Sequence, residues 1–186
     1  VAHVLGQDRY VVVWQDHDSS LTNPPDVFAR VLGTDGSSLG ELAAGAFVGS
    51  QTDPALATAS WSSELLVTWT DSRGTPNGIR GRRLDSAGTP SLGSEVVITD
   101  LAAEPGRSAV AWGVAANDVP DPGSYLVVWS DGTLIQGRRV SAMDFSVVGS
   151  VSTISDFASG KYNPALVFNR SVLEWWVAWE DNRDYG

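Results

Sequence analysis

Residues 125–131 read YLVVWSD, and this stretch decides the fold because its pattern occurs four times in the chain. Each copy is an apolar run that ends in a tryptophan, one variable residue and an aspartate. The copies are YVVVWQD (10–16), LLVTWTD (65–71), YLVVWSD (125–131) and WWVAWED (175–181). Their tryptophans lie 55, 60 and 50 residues apart and are Trp14, Trp69, Trp129 and Trp179. Repetition at this spacing predicts one structural unit used several times.

Each unit contains further apolar segments around the Trp-x-Asp run. In the second unit they are PALA (54–57), IRGRRL (79–84) and EVVITD (95–100). Short runs rich in Val, Ile, Leu and Trp, bounded by Gly, Pro, Asn and Asp, are typical of strands, and no segment has a sustained helical period. Each unit is therefore predicted to contain four strands.

The dipeptide Asp131-Gly132 lies between the second and third predicted strands of the third unit. Asp-Gly is a strong signal for a two-residue hairpin, because both turn positions of that hairpin need positive φ. We therefore expect the second and third strands to be antiparallel neighbours and each unit to be a meander.

The strand containing Trp129 is apolar on both of its faces. Tyr125 and Val127 point to the same side as the tryptophan, while Leu126 and Val128 point to the other. Sheets buried on both sides fit blades stacked around an axis better than a two-sheet sandwich or barrel. The predicted fold class is all-β, a β-propeller of four-stranded antiparallel blades with an incomplete ring of about three and a half blades. The blades are predicted at residues 1–50, 51–100 and 101–156, with the first half of a fourth at 157–186.

The motif order also carries a family resemblance. Residues 69–73 (WTDSR), 81–83 (GRR) and 85–88 (DSAG) show an order that resembles the repeats of large secreted bacterial β-propeller proteins. The first unit departs from the pattern, with Ala29 and Val31 where the other units have Gly and Arg, and the third lacks an arginine after Asp131. The resemblance implies an architecture and a secreted or cell-surface location. It does not imply one activity, because propellers host lectins, hydrolases, lyases and adhesins alike.

Composition restricts the classes of partner. The formal net charge is −10, with 22 acidic against 12 basic residues, and Lys161 is the only lysine. Such a chain repels phosphate backbones and anionic lipids, so we expect neither nucleic-acid binding nor membrane insertion. The chain contains no cysteine, which excludes disulfides, thiolate metal sites and thiol nucleophiles.

No catalytic set is recognisable in the sequence. The two histidines, His3 and His17, lie near the start in no metal-binding spacing, and the nucleophile-elbow, phosphate-loop and dinucleotide motifs do not occur. An aspartate present once in every unit suits a structural need of the unit better than glycoside hydrolysis. We expect these aspartates to accept hydrogen bonds from turn amides or to pair with an arginine of the third strand; the residues are Asp16, Asp71, Asp131 and Asp181, with Arg83 and Arg139.

Two kinds of binding site remain open. No cofactor is predicted, but calcium fits hard oxygen ligands around one long loop, with Asp16, Asp18 and Asp26 as weak candidates. Aromatic residues outside the repeated position suit either the core or a platform for sugar rings. They are Trp61, Trp112, Tyr162 and Trp176.

Three functions follow as hypotheses. The first is an extracellular or cell-surface binding and scaffolding module for a glycan or protein ligand. The second is a polysaccharide hydrolase or lyase with loop carboxylates such as Asp18, Asp26, Glu104, Asp118 and Asp121. The third is a purely structural segment of a larger surface protein. In each case we expect further blades of the parent chain or another protein chain to complete the ring.

Overall fold

The described residues form four antiparallel β-sheets. The computed structural model describes residues 1–17, 24–60, 62–74, 77–87, 91–100, 106–114 and 123–182. Within this part of the chain the only helical element is a single 3₁₀ turn at Leu5–Gln7, and no helix has the length and apolar character needed to cross a bilayer. The predicted all-β class is confirmed.

Sheet 1 is a meander of four strands. They are β1 (Ala2–Val4), β2 (Arg9–Asp16), β3 (Asp26–Gly33) and β4 (Ser38–Gly45), in that spatial order. The β-branched and aromatic residues of β2 favour a pleated surface. The last strand is poor in such residues and was not identified in the sequence.

Sheet 2 repeats the same order. Its strands are β5 (Gln51–Thr58), β6 (Glu64–Asp71), β7 (Gly78–Asp85) and β8 (Ser91–Asp100). β5 is interrupted by a register shift between Thr52 and Ala55, next to a proline that cannot donate to the ladder.

Sheet 3 contains β9 (Ser108–Gly113), β10 (Ser124–Ser130), β11 (Ile135–Ser141) and β12 (Val147–Thr153). β10 and β11 are antiparallel neighbours, as Asp131-Gly132 predicts, but the turn is different. Their ladder ends at the Ser130–Ile135 pair, so the loop has four residues, 131–134, and of these only Gly132 has positive φ (+91°). The two-residue hairpin was therefore wrong, because the Asp131 side chain stabilises a wider turn.

Sheet 4 comprises two strands, β13 (Lys161–Asn169) and β14 (Glu174–Asp181), which pair antiparallel. Each of the four sheets lies within one of the blade spans predicted from the sequence. The register shift of β5 recurs in β13, between Tyr162 and Ala165, so the first strands of sheets 2 and 4 share a bulge.

The sheets pack against one another in chain order. β5 contacts β1 on one side and β9 on the other, and β9 also contacts β13, so the first strands of successive sheets are neighbours. One apolar core lies between sheets 1 and 2 and a second between sheets 2 and 3. The first includes Val11 and Trp69, and the second includes Leu66 and Trp129.

Burial on both faces holds for the central sheets alone. β6 and β10 are almost wholly buried, whereas β14 alternates between exposed and half-buried residues. β2 is exposed or half-buried apart from Val11. The expectation of double-sided burial was therefore wrong for β2 and β14, because sheets 1 and 4 are each covered on one side only by the described residues.

Candidate functional site

The repeated tryptophans occupy equivalent places in the four sheets. Each is the sixth residue of the second strand of its sheet. Trp69 and Trp129 are fully buried, while Trp14 and Trp179 are half-buried. Trp14 stacks on Phe28, with ring centroids 5.9 Å apart, and the Arg30 guanidinium lies 5.5 Å from its ring. The expected burial of all four therefore holds for the two central ones, since a neighbouring sheet covers only those completely.

Asp71 satisfies its own turn and its own tryptophan. Its Oδ1 accepts a hydrogen bond from the Arg73 backbone amide at 3.0 Å and contacts the Arg73 guanidinium at 3.1 Å. Its Oδ2 accepts a hydrogen bond from Trp69 Nε1 at 2.9 Å. The carboxylate is buried, so these donors compensate its desolvation.

Asp131 binds its turn in another way. Its Oδ1 accepts hydrogen bonds from the backbone amides of Thr133 (2.9 Å) and Leu134 (2.7 Å) and from the Thr133 hydroxyl (2.8 Å), and its Oδ2 accepts one from Gln136 Nε2 (3.0 Å). Burial by itself raises the pKa of this carboxyl, but the hydrogen bonds to the charged form outweigh it, so the pKa is lowered. The turn-amide contacts expected of Asp71 and Asp131 are thus present in both.

Asp181 has a lysine as its partner. Its Oδ2 lies 2.6 Å from Lys161 Nζ, and its Oδ1 accepts a hydrogen bond from the Ser159 hydroxyl at 3.0 Å. The Lys161 side chain is fully buried, so the pair holds a charge in the protein interior. In sheet 2 the matching position across from Asp71 is Gln51.

The arginines of the third strands bind partners other than the repeated aspartates. Arg83 forms an ion pair with Glu64. Arg139 donates from Nε and a terminal nitrogen to the Ser124 hydroxyl, at 2.9 and 2.6 Å. Both side chains bind the first residue of the neighbouring second strand. Of the two partners expected for the repeated aspartates, Asp71 and Asp131 therefore use the turn amides and not Arg83 or Arg139, because each aspartate lies at the opposite end of the second strand.

The candidate calcium ligands are only partly described. Asp16 and Asp26 face each other across the β2–β3 ladder at the start of the long loop, and Asp18 lies outside the described residues. In the part of the chain that the structure covers, no group of three or more His, Asp or Glu side chains is placed to hold a metal ion.

The aromatic candidates lie in three separate places. Tyr162 (42% exposed) is in the bulge of β13 and Trp176 (55% exposed) is on β14, whereas Trp112 is half-buried on β9 with the Arg170 guanidinium 5.7 Å from its ring. Trp61 lies outside the described residues. Trp176 is surrounded by Ala165, Leu166, Val167, Val177 and Ala178, and its Nε1 donates to the Glu174 carboxylate at 3.5 Å. Its ring therefore lies in a mainly apolar patch with one carboxylate beside it, and the use of Trp176 as a sugar platform stays a prediction.

A cleft with mixed chemistry lies where three first strands meet. It has a volume of about 370 Å³ and is lined by residues 54–55 of β5, residues 107–110 of β9 and the position before it, and residues 163–165 of β13. We call it the inner-strand cleft. Two exposed polar residues, Arg107 and Asn163, line it, and a third, Asp53, directly precedes the lining residue Pro54.

The backbone fixes two of these polar residues in an uncommon conformation. Asp53 and Asn163 have φ of +52° and +50°, and each precedes a proline. Asp and Asn tolerate the left-handed region better than other non-glycine residues, and such conformations persist where the surroundings hold them. The Asp53 amide donates to Gln15 Oε1 of sheet 1 at 2.8 Å. The bulges therefore fix the backbone conformation of both polar residues beside the cleft.

The inner-strand cleft was not predicted from the sequence. Its polar residues are more than fifty positions apart, and only the stacking of three sheets brings them together. A signal was present, because Asp53, Arg107 and Asn163 each directly precede a Pro-Ala or Ser-Ala pair at the same place in the repeat.

The described residues define an all-β protein of successive antiparallel sheets with a polar cleft at their first strands. Comparison of the chain with protein-family models, curated proteins and solved structures finds no match.

Proposed function

We propose that the chain is part of a secreted or cell-surface β-propeller that serves as a binding and scaffolding module, with the inner-strand cleft as its ligand site. The ordered contacts between first strands, from β1 to β5 to β9 to β13, support the propeller, because blades around an axis approach one another at their innermost strands. The acidic, lysine-poor and turn-rich composition suits an extracellular setting.

The chemistry of the cleft favours a neutral glycan. Of the lining residues, Arg107 supplies only donors and Asn163 supplies donors and acceptors, while Asp53, which directly precedes the lining residue Pro54, carries only acceptors. Vicinal sugar hydroxyls need this combination, because each hydroxyl both donates and accepts. A net charge of −10 disfavours an anionic ligand, and Asp53 beside the cleft adds to that effect. The cleft is the single observation that carries the proposal.

Binding is favoured over hydrolysis by the occupation of three of the four repeated carboxylates. Asp71 and Asp131 are engaged by their own turns, and Asp181 is engaged by Lys161 and Ser159. Of the loop carboxylates on which a hydrolase or lyase would depend, Asp26 lies in β3 opposite Asp16, and Asp18, Glu104, Asp118 and Asp121 lie outside the described residues. A purely structural segment would need no polar cleft at its first strands.

A glycan array read in parallel with a panel of generic glycosidase substrates tests this proposal. We expect neutral oligosaccharides to bind without release of reducing sugar. Arg107→Ala should lower the affinity by about tenfold or more, since a hydrogen bond to a charged group contributes about 1.5–3 kcal/mol. Asn163→Gly should act in the same direction while preserving the positive φ, because glycine adopts it freely.

Arg170→Ala is the matched control, because Arg170 is also exposed but lies on the turn between β13 and β14. It should bind as the unmodified chain does. Binding that is indifferent to Arg107→Ala would place the ligand elsewhere, and release of reducing sugar would favour the hydrolase.

A further inference from the structure

One face of sheet 4 is exposed and apolar. Val167 and Trp176 pair directly across β13 and β14 and are 56% and 55% exposed, and Ala165 and Ala178 pair beside them on the same side. We call these four residues the outer face of sheet 4. Large exposed apolar side chains in one contiguous patch are uncommon on monomeric proteins and mark interaction surfaces.

The equivalent positions in sheet 2 show what covers such a face. Ala57 and Leu66 pair across β5 and β6 as Val167 and Trp176 pair in sheet 4, and both are buried. They pack in one core with the second strand of sheet 3, through Tyr125, Val127 and Trp129. In the repeat, a face of this kind is therefore covered by the second strand of the next sheet, which carries Tyr, Val and Trp on one side.

Sheet 1 presents such a strand uncovered. Tyr10, Val12 and Trp14 have the same residue types, at the same spacing, as the three residues that cover sheet 2. Tyr10 is 40% exposed and the other two are half-buried, on the side of β2 opposite to Val11 and the first core. We call Tyr10, Val12 and Trp14 the far face of sheet 1.

Charged groups lie beside both faces. Glu174 and Glu180 are exposed on β14, on the same side as Trp176 by the alternation of the strand. On the far face of sheet 1, Arg30 lies over Trp14 and is ion-paired with Glu41, while His3 lies against Tyr10, with ring centroids 4.9 Å apart, and contacts Asp8. The match between the two faces is therefore apolar, and the charges of the far face are balanced within sheet 1.

We propose that the outer face of sheet 4 binds the far face of sheet 1 of a second copy of this chain. The contact continues the packing of sheet 2 on sheet 3 with the same types of covering residue. It joins unlike surfaces, so it is head-to-tail and either closes into a ring or extends. The proposal does not depend on the inner-strand cleft binding a glycan.

Sedimentation and light scattering on the 186-residue chain test the proposal, at concentrations up to ~100 μM. We expect a mass above the 19.7 kDa of one chain. Trp176→Asp and Trp14→Asp should each weaken association about thirtyfold or more, because a large aromatic residue at the centre of an interface contributes strongly to binding. Met143→Asp, an equally drastic change at an exposed residue of another surface, should leave the mass unchanged.

Mixing the two tryptophan variants identifies which two faces are in contact. Trp176→Asp keeps an intact far face and Trp14→Asp keeps an intact outer face, so the mixture should form heterodimers that neither variant forms alone. A symmetric contact between two outer faces would leave Trp14→Asp associated and would overturn the proposal. So would a monomeric chain whose Trp176 fluorescence responds to an added oligosaccharide, since the face would then belong to a glycan.

A folding defect is separated from an interface defect in two ways. Far-ultraviolet circular dichroism of each variant should match that of the unmodified chain. Because the chain has no cysteine, Tyr10→Cys and Ala178→Cys chains can also be mixed with a short bis-maleimide. The mixed product should exceed either homodimer, and equal yields of all three would contradict the head-to-tail contact.

Discussion

The two central sheets and the two terminal sheets carry the same repeat but differ in how their tryptophans are buried. Trp69 and Trp129, in sheets 2 and 3, are fully buried, whereas Trp14 and Trp179 are half-buried at the same strand position. The local sequence is nearly the same in all four places. The difference teaches that the repeat determines which residue faces a neighbour, and that the neighbouring sheet supplies the burial.

Replacing the tryptophans by alanine should separate the two pairs of sheets most strongly. Trp69→Ala removes a fully buried indole from the core between sheets 1 and 2 and should lower the free energy of unfolding by about 3–5 kcal/mol. Trp14→Ala loses a partly exposed ring that stacks on Phe28 and should cost about 1–2 kcal/mol. Urea denaturation measures both.

The comparison must be made at concentrations where sedimentation shows single chains, because association through the far face of sheet 1 would add to the apparent cost of Trp14→Ala. Equal losses in the two variants, measured on dissociated chains, would contradict the view that neighbouring sheets supply the burial.

The strands that the sequence identifies are those whose own residues have high strand propensity and are bounded by turn signals. The Trp-x-Asp runs and the Ile-x-Gly-x-Arg segments combine β-branched residues with turn signals, so their position and antiparallel order could be predicted. β4 could not, because its sequence SLGELAAG has low strand propensity. The small residues of β4 leave room for a side chain of the neighbouring sheet, because a Cβ on Gly45 would lie 3.0 Å from the Trp69 ring. That requirement is visible only when sheet 1 lies against sheet 2.

The candidate site was less predictable than the fold. Turn contacts of Asp71 and Asp131 are local in sequence and follow from residue type, so they could be expected. The partners of Arg83 and Arg139 depend on the strand register, which the sequence does not specify. The inner-strand cleft depends on the stacking of three sheets, so the repeated Pro-Ala and Ser-Ala pairs do not by themselves show that the residues before them come together.

A second test compares a terminal with a central sheet at one ladder position. Lys161 faces Asp181 in sheet 4, where Gln51 faces Asp71 in sheet 2. Asp181→Ala leaves the fully buried lysine without its carboxylate and should cost about 3 kcal/mol, because an uncompensated buried charge is strongly destabilising. Lys161→Gln introduces the residue of sheet 2 and should cost about 1 kcal/mol, since no charge remains fully buried.

Urea denaturation of the two variants gives the difference directly. If Lys161→Gln proved as costly as Asp181→Ala, the pair would contribute through packing and hydrogen bonds rather than through charge compensation, and sheets 2 and 4 would not be interchangeable at this position.

The smallest expected effect separates the two central sheets from each other. Trp69 Nε1 donates to Asp71, whereas Trp129 Nε1 is buried with no partner among the described residues, because Asp131 binds the amides of its turn instead. Replacement of either tryptophan by phenylalanine removes the indole N–H and a similar side-chain volume. Trp69→Phe also removes a hydrogen bond to a buried carboxylate, while Trp129→Phe removes an unsatisfied donor, so the first should be more costly by about 1–2 kcal/mol.

Chemical denaturation of both variants measures the difference, and Asp71→Asn in the Trp69→Phe chain should recover part of it, since a neutral amide needs less compensation than a carboxylate. Equal costs for the two phenylalanine variants would mean that the Trp69–Asp71 hydrogen bond adds no net stability.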